Sequence, residues 1–294
     1  MLRMLYNGKK VINMNTQIRE LRTVITGLLT SDGNGVKITR MIGSLELNML
    51  DPFLLFDVFE SDQDDDYIGG FPDHPHRGFE TVTYLLSGRM RHKDSAGHEG
   101  VIESGGVQWM TAGKGIIHSE MPEQEEGLLQ GFQLWINLPA KDKMQDPAYQ
   151  EFSANKIAVE YLDNGTKIRV IAGVTNNGIA GPVTNTTVNP IYMDVSLPSG
   201  QIFEQTVKRD DHVFIFIIEG QLSIGKPARV INRRQLGILQ IGEQIKVTAN
   251  EATRFLLVGA TPLNEPVARG GPFVMNTKAE VLQAFDDFNN NTFL

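Results

Sequence analysis

Two short segments carry the residues best suited to chemistry. Asp73-His74-Pro75-His76 sets two imidazoles two positions apart, and Ile117-His118-Ser119-Glu120 repeats that spacing with an imidazole and a carboxylate. Side chains alternate across a strand, so residues i and i+2 point to one face. If both segments are extended and lie side by side, His74, His76, His118 and Glu120 can aim three imidazoles and one carboxylate at a single cation. Such a set suits Fe(II), Mn(II), Ni(II), Cu(II) or Zn(II), and a five- or six-coordinate ion held this way keeps open positions. Open positions are what a catalytic metal requires. Three of the six histidines of the chain fall in these two pairs. Spacing alone therefore predicts a metal site with room for a ligand.

Composition removes most competing chemistries. The chain has no cysteine, so thiolate nucleophiles, disulfides, iron–sulfur clusters and thiolate zinc sites are all excluded, and a reducing cytoplasm is the expected location. Lys+Arg is 27 against Asp+Glu 35, a formal charge of -8 without a basic tract, which argues against direct nucleic-acid binding. No apolar run approaches the ~20 residues of a membrane-crossing helix. Met1 to Lys10 lacks the sustained apolar core of a secretory signal, so none is expected. Asp62-Gln-Asp-Asp-Asp66 fails as a calcium loop because Tyr67 stands where the sharp turn wants Gly; a solvated acidic loop is expected. Gly113-Lys114 lacks the earlier Gly and the Ser or Thr of a phosphate loop, and Gly113 and Gly115 are expected to let the chain turn just before His118. No Gly-x-Ser-x-Gly element offers a serine nucleophile. His92 and His98 flank a turn and are expected in solvent. His212 opens a strand far from any second His and is expected to have a loop or surface role.

The elements that must position the two pairs are short β-runs broken by turn residues. Thr23–Thr30 and Val36–Ile42 read as strands around the hairpin loop Ser31-Asp-Gly-Asn-Gly35. Phe53 to Phe59 is strongly apolar. Runs at 81–86, 90–93, 101–103, 107–111 and 132–138 each end in Gly, Asp or Pro, a rhythm of antiparallel barrels and not of alternating β and α units. Lys141 to Phe152 is polar and is expected to cross between domains. A second β-rich block follows, with runs at 167–171, 191–196, 213–218, 236–241 and 254–258. Val82-Thr-Tyr-Leu-Leu-Ser-Gly88 resembles Phe214-Ile-Phe-Ile-Ile-Glu-Gly220, and Val101–Gly106 has a looser echo in Leu236–Gly242. At roughly 150 residues per domain the chain has room for two. We read an all-β chain of two copies of one barrel, divided as residues 1–140 with the metal site and 141–294 without metal ligands. Residues 1–20 read as an irregular or weakly helical lead-in. One helix is expected at the C-terminus, opened by the capping box Thr277-Lys-Ala-Glu280, with Val281, Leu282, Phe285 and Phe288 on one face. Phe53, Phe56, Phe71, Trp109, Met110 and Trp135 lie near the metal pairs, each expected in the core, with some able to line an apolar pocket.

Two long segments go further than spacing. Gly69-Gly-Phe-Pro-Asp-His-Pro-His-Arg-Gly-Phe-Glu-Thr81 and Gln108-Trp-Met-Thr-Ala-Gly-Lys-Gly-Ile-Ile-His-Ser-Glu-Met-Pro122 resemble the signature segments of the pirin family, within the cupin superfamily. Leu50–Asp57, Gln133–Leu138, Glu265-Pro-Val and Gly271-Pro-Phe-Val-Met-Asn276 fit as well. The resemblance implies two stacked cupin β-barrels, a bicupin with a short C-terminal helix, and one divalent metal in the first barrel. That metal is commonly iron, with Mn, Ni, Co, Cu or Zn as alternatives. It puts His74, His76, His118 and Glu120 on the ligand positions, and it makes Glu120 a candidate base. Many cupins place the glutamate four residues after the second His, where Glu80 stands here with the parity of the same face. The family pattern favours Glu120 and leaves Glu80 to orient a ligand. The implied activity is quercetin 2,3-dioxygenase-type cleavage of a small aromatic substrate by O2. The alternative is a metal- or redox-responsive regulator acting through protein partners. The lead-in of about twenty residues and the acidic insert 61–66 depart from the family pattern.

Overall fold

The computed structural model describes residues 17–184 and 186–294. The expectation for the lead-in lies outside the described residues up to residue 16. The last of it is held against the second barrel by Arg19, whose buried guanidinium donates to the carbonyls of Lys208, Arg209, Asp211, Gln240 and Gly242. No described helix is long and apolar enough to cross a membrane.

The chain forms two barrels, each from a seven-stranded and a four-stranded antiparallel sheet. In the first large sheet the order is Ala148–Phe152, Val107–Thr111, Phe79–Ser87, Leu129–Asn137, Phe53–Ser61, Val36–Ile42, Leu28–Asp32. In the second it is Leu21–Ile25, Leu236–Leu239, His212–Glu219, Thr253–Ala260, Ile191–Leu197, Lys167–Ala172, Ala158–Tyr161. The small sheets run Phe71–His76, Ile116–Pro122, Arg89–Asp94, Glu99–Glu103 and Ile202–Thr206, Gln244–Ala249, Gln221–Ile224, Arg229–Asn232. Read place by place, the orders are the same, so the internal repeat is real. Phe79–Ser87 and His212–Glu219 occupy matching positions, and each ends on a left-handed glycine, Gly88 at φ +92° and Gly220 at φ +78°, a conformation only Gly adopts without strain. The looser echo does not survive. Leu236–Leu239 matches Val107–Thr111 in the sheet order, and the counterpart of Glu99–Glu103 is Arg229–Asn232.

The two large sheets pack back to back. Phe53, Phe56 and Phe132 of the first meet Phe214 and Phe216 of the second, with ring centroids 5.2 to 5.7 Å apart. Trp109, Val82 and Leu134 join this core. The barrel interiors differ. The second is filled by a continuous apolar cluster that includes Met193, Phe203, Ile245, Val247 and Phe255. The first is apolar only at one end, around Phe59, Leu85, Met90 and Ile102, while Thr83, His92, Asp94, Gln108, His118 and Glu120 are buried polar groups. Burying polar groups costs free energy unless they find partners, so the interior that carries them is the one shaped for function.

Three segments cross between the halves. The run expected at 23–30 is split, so that Leu21–Ile25 pairs in the second barrel's sheet and Leu28–Asp32 in the first. Within the expected crossing 141–152, Ala148–Phe152 pairs with Val107–Thr111 in the first barrel's large sheet. The end of the chain returns to the first barrel through a bridge between Arg77 and Phe273 and an ion pair from Arg77 to Asp287 at 2.6 Å. The terminal helix is Lys278–Asn289 with both hydrogen bonds of the capping box. Its buried face holds Val281 and Ala284, while Leu282 is 64% exposed; one step along a helix turns by about 100°, which carries Leu282 off the face of its neighbour. The acidic insert forms a single turn, Asp64–Asp66, with Asp66 held by Lys37 and Ser61.

Candidate metal centre

The strands Phe71–His76 and Ile116–Pro122 pair antiparallel with His118 opposite His74 and Ile116 opposite His76. Gly113 and Gly115, at φ +52° and +152°, form the turn just before this strand. The three imidazoles meet: ring centroids lie 4.4 Å apart for His74 and His118, 4.6 Å for His74 and His76, and 5.0 Å for His76 and His118. One ring nitrogen from each lies within 4.8 Å of the others. Among the described residues this is the one cluster with metal-ligand geometry. The corresponding strands of the second barrel, Ile202–Thr206 and Gln244–Ala249, bury Phe203, Ile245 and Val247 instead.

The protonation pattern suits a cation. His74 Nδ1 lies 2.8 Å from the Pro72 carbonyl. A carbonyl only accepts, so Nδ1 carries a proton, which leaves Nε2 as the nitrogen that can face a cation. His76 Nδ1 and both nitrogens of His118 are buried and find no partner in the described protein. Burial, and then the neighbouring imidazoles, hold His76 and His118 well below the ordinary histidine range. Neutral, unpartnered nitrogens are costly to bury in an apo protein and are what a metal ion needs.

A pH dependence follows for the metal-free protein. The unfolded chain protonates both histidines near the ordinary 6.5, whereas the folded chain does not. Below that pH the unfolded state therefore binds more protons, and stability falls as pH drops, by about 1.4 kcal/mol per pH unit per histidine. Above it, these groups add no slope. Urea unfolding of chelator-treated protein at pH 7.5, 6.5 and 5.5 measures this; a flat profile from 6.5 to 5.5 would contradict it.

Glu120 lies on the face of His118, buried, but a break in strand register separates the two, and Glu120 pairs with Phe71. Its Oε1 lies 2.8 Å from the Thr83 hydroxyl and its Oε2 accepts from Gln133 Nε2 at 2.8 Å. It lines the same cavity as His74 and His76 without joining the three-histidine group. Glu80 does not share that face. Along Phe79–Ser87, Thr83 and Leu85 point into the first barrel, while Val82 and Tyr84 point to the core between the barrels. Glu80 has the parity of Val82. Its Oε1 accepts from Thr111, and burial raises its pKa, opposed by Thr111 and Trp109. The turn at Gly78, φ +89°, resets the alternation between His76 and Glu80.

The remaining histidines part from one another. His92 is buried, not in solvent: Met90, His92 and Asp94 form the inward face of Arg89–Asp94, and His92 Nε2 lies 2.6 Å from a Glu151 carboxylate oxygen. His98 is exposed beside Asp94 at 2.9 Å. His212 Nδ1 contacts the Asp51 carbonyl at 2.5 Å.

Beside the imidazoles opens a cavity of about 450 Å³. Leu55, Phe59, Phe71 and Trp135 form its apolar wall. Trp135 meets the His76 ring edge to face at 5.1 Å. Of the six candidate pocket residues, Phe71 and Trp135 line the cavity. Phe53, Phe56 and Trp109 belong to the core between the barrels, and Met110 packs with Ala112 and Ile116. Sequence reasoning missed Thr83, Gln133, Arg40, Asp57 and Arg269. For Gln133 and Asp57 a signal existed: each interrupts an apolar strand on the alternate parity. Arg269 gave none, because it reaches the cavity from the far end of the chain.

The Pirin domain is recognised at residues 35–136 and the Pirin C-terminal cupin domain at residues 192–294. The chain belongs to the pirin family. It is 50% identical over 276 residues to a pirin-like protein of Caulobacter vibrioides, covering 94% of this chain and 99% of the relative. It is 43% identical over 265 residues to human pirin, covering 88% and 89%. The crystal structure of quercetin 2,3-dioxygenase from Acinetobacter baumannii superimposes with a TM-score of 0.86 at 34% identity, over 94% of this chain and 99% of that one. The bicupin architecture expected from the pirin signatures is thus the observed one.

Proposed function

We propose that this pirin is a metal-dependent dioxygenase of the quercetin 2,3-dioxygenase type. The observation that carries this reading is the meeting of three imidazoles with one buried acid at the edge of an apolar cavity of about 450 Å³, a volume suited to a small flat aromatic molecule. His74, His76 and His118 would hold the ion, with Glu120 as fourth ligand. Iron(II) is the proposed metal, and the set also accommodates Mn, Ni, Co, Cu or Zn. When bound, the ion supplies Lewis acidity towards the flavonol oxygens and one-electron chemistry towards dioxygen.

The protein's own residues do the rest. Phe71 and Trp135 would hold the aromatic rings and exclude water. Glu120 would take the proton of the flavonol hydroxyl, which raises electron density in the ring that dioxygen attacks. The ring then opens with loss of carbon monoxide. Thr83 and Gln133 fix the direction of the Glu120 carboxylate. In this reading the first half of the chain, residues 1–140, bears the centre. The second, residues 141–294, supports it from behind and lends the cavity Arg269 and Pro272.

Protein reloaded with Fe(II) and mixed with quercetin in air should lose flavonol absorbance and release one equivalent of carbon monoxide. Glu120→Gln should lower kcat by about 10²- to 10⁴-fold, the usual worth of a positioned base. Absence of turnover with iron, manganese, nickel, cobalt and copper alike would remove the flavonol assignment and leave the metal site to be judged by its own test.

A further inference from the structure

The cavity wall carries one cationic group that makes no ion pair among the described residues, although the carboxylates of Asp57 and Asp32 line the same cavity and favour its charge from a distance. Arg40 is paired twice with Asp57, at 2.9 and 2.7 Å, and a third time with Asp32 at 2.6 Å. Arg269 lines the same cavity, yet among the described residues no carboxylate forms an ion pair with it. Its recorded hydrogen bond runs from Nη1 to the Leu54 carbonyl at 3.3 Å, which leaves most of the five N–H groups of the guanidinium fork unused. The guanidinium carbon sits 4.8 Å from the centre of the Trp135 ring, and Trp135 in turn meets the His76 ring. The cation is therefore one aromatic side chain removed from the metal centre.

Its position is built. Arg269 belongs to the strand Ala268–Gly270, paired with Phe273–Met275. That hairpin is fastened to the first barrel by the Val274 amide, which donates to the Arg77 carbonyl at 3.0 Å, and by buried Lys143, whose Nζ donates to the Val274 carbonyl at 2.9 Å. Burial, and then the charge of Arg40, disfavour the charged form of Arg269, and the charges of Asp57 and Asp32 offset them only in part. An anionic ligand group would relieve both, and a planar fork over an aromatic face is suited to a carboxylate or sulfonate.

We propose that Arg269 is a specificity-determining residue that selects substrates bearing an anionic oxygen group, a carboxylate, sulfonate or ionised phenol, at the end remote from the oxygens that meet the metal. The inference rests on the dioxygenase reading for the orientation of the ligand, and it deepens that reading by naming the substrate class.

The test is calorimetric titration of zinc-loaded protein, without oxygen, with 3-hydroxyflavone and with the same flavonol bearing one aromatic sulfonate. The wild type should bind the sulfonate at least about tenfold more tightly, the usual worth of a charge-assisted hydrogen bond. Arg269→Met should lose that preference while its affinity for 3-hydroxyflavone stays within about threefold, and Arg269→Lys should keep part of it as a point charge. Equal wild-type affinity for the two ligands overturns the proposal, as does an equal loss for both in Arg269→Met. Turnover in air with iron, manganese, nickel, cobalt and copper is read separately. Preference for the sulfonate without cleavage of either ligand removes the dioxygenase reading and leaves the anion site. Cleavage of 3-hydroxyflavone without preference does the reverse.

Discussion

Replacing His74 and His118 together by Ala should strip the protein of its metal. A four-ligand structural zinc site binds with about 10–16 kcal/mol, or about 2.5–4 kcal/mol per ligand, so two lost ligands should cost about 6 kcal/mol, roughly four orders of magnitude in Kd. Elemental analysis of wild type and variant, purified without added metal, gives the first measurement, and competition with a graded chelator gives the second. The fold should survive. The two histidines belong to the small sheet of the first barrel, whereas the core that joins the barrels is built from other strands. The metal-free variant should unfold near the temperature of the metal-free wild type, because the replacement removes two unpartnered nitrogens of buried His118 and a half-buried His74 ring. A variant that keeps stoichiometric metal would refute the centre, and with it the proposed chemistry.

The second large effect lies between the barrels. Asp194 is buried, and its carboxylate takes Arg254 Nε at 2.9 Å and Nη2 at 2.7 Å, together with the Tyr84 hydroxyl of the first barrel at 2.7 Å. Burial, and then the Asp194 charge, push the Tyr84 hydroxyl above its ordinary range, so it stays a donor. Asp194→Ala leaves a guanidinium and a phenol without their acceptor inside the molecule. Breaking one side of a buried pair costs about 3–5 kcal/mol, and the Arg254 side chain, 33% exposed, points to the lower end because solvent screens part of the loss. Urea unfolding should show a decrease of about 3 kcal/mol. Metal content should be unchanged, since none of these groups lines the cavity. The double variant Asp194→Leu with Arg254→Met should recover much of the loss, because an apolar pair leaves no orphaned charge. A decrease below about 1 kcal/mol in the single variant would mean that solvent already satisfies Arg254.

These two sites were legible to different degrees. The pairs His74/His76 and His118/Glu120 stand out in the sequence because alternation along a strand is a local property: residues two apart share a face wherever the strand lies. The repeat was legible for another local reason, the likeness of the segments 82–88 and 214–220, which build matching strands. Alternation failed at Glu80, where the turn at Gly78 resets it, and nearness to a turn misplaced His92, whose burial depends on which face of Arg89–Asp94 meets the barrel interior. Asp194 and Arg254 gave no sequence signal at all, because their partnership spans 60 residues and is made by neighbouring strands.

What the amino-acid sequence determined by itself was therefore the local grammar: strands of period two, turns at glycines, a capped terminal helix, two ligand pairs and a chain without thiols. The tertiary structure alone decided which barrel interior stays polar, that Leu21–Ile25 and the terminal helix exchange sides, and that Thr83, Gln133 and Arg269 converge around Glu120 and Trp135. The reason is physical. Periodicity and turn preference act over a few residues and leave a trace in composition. Burial and pairing across a fold depend on which distant segments come to share one interior, and no local pattern records that.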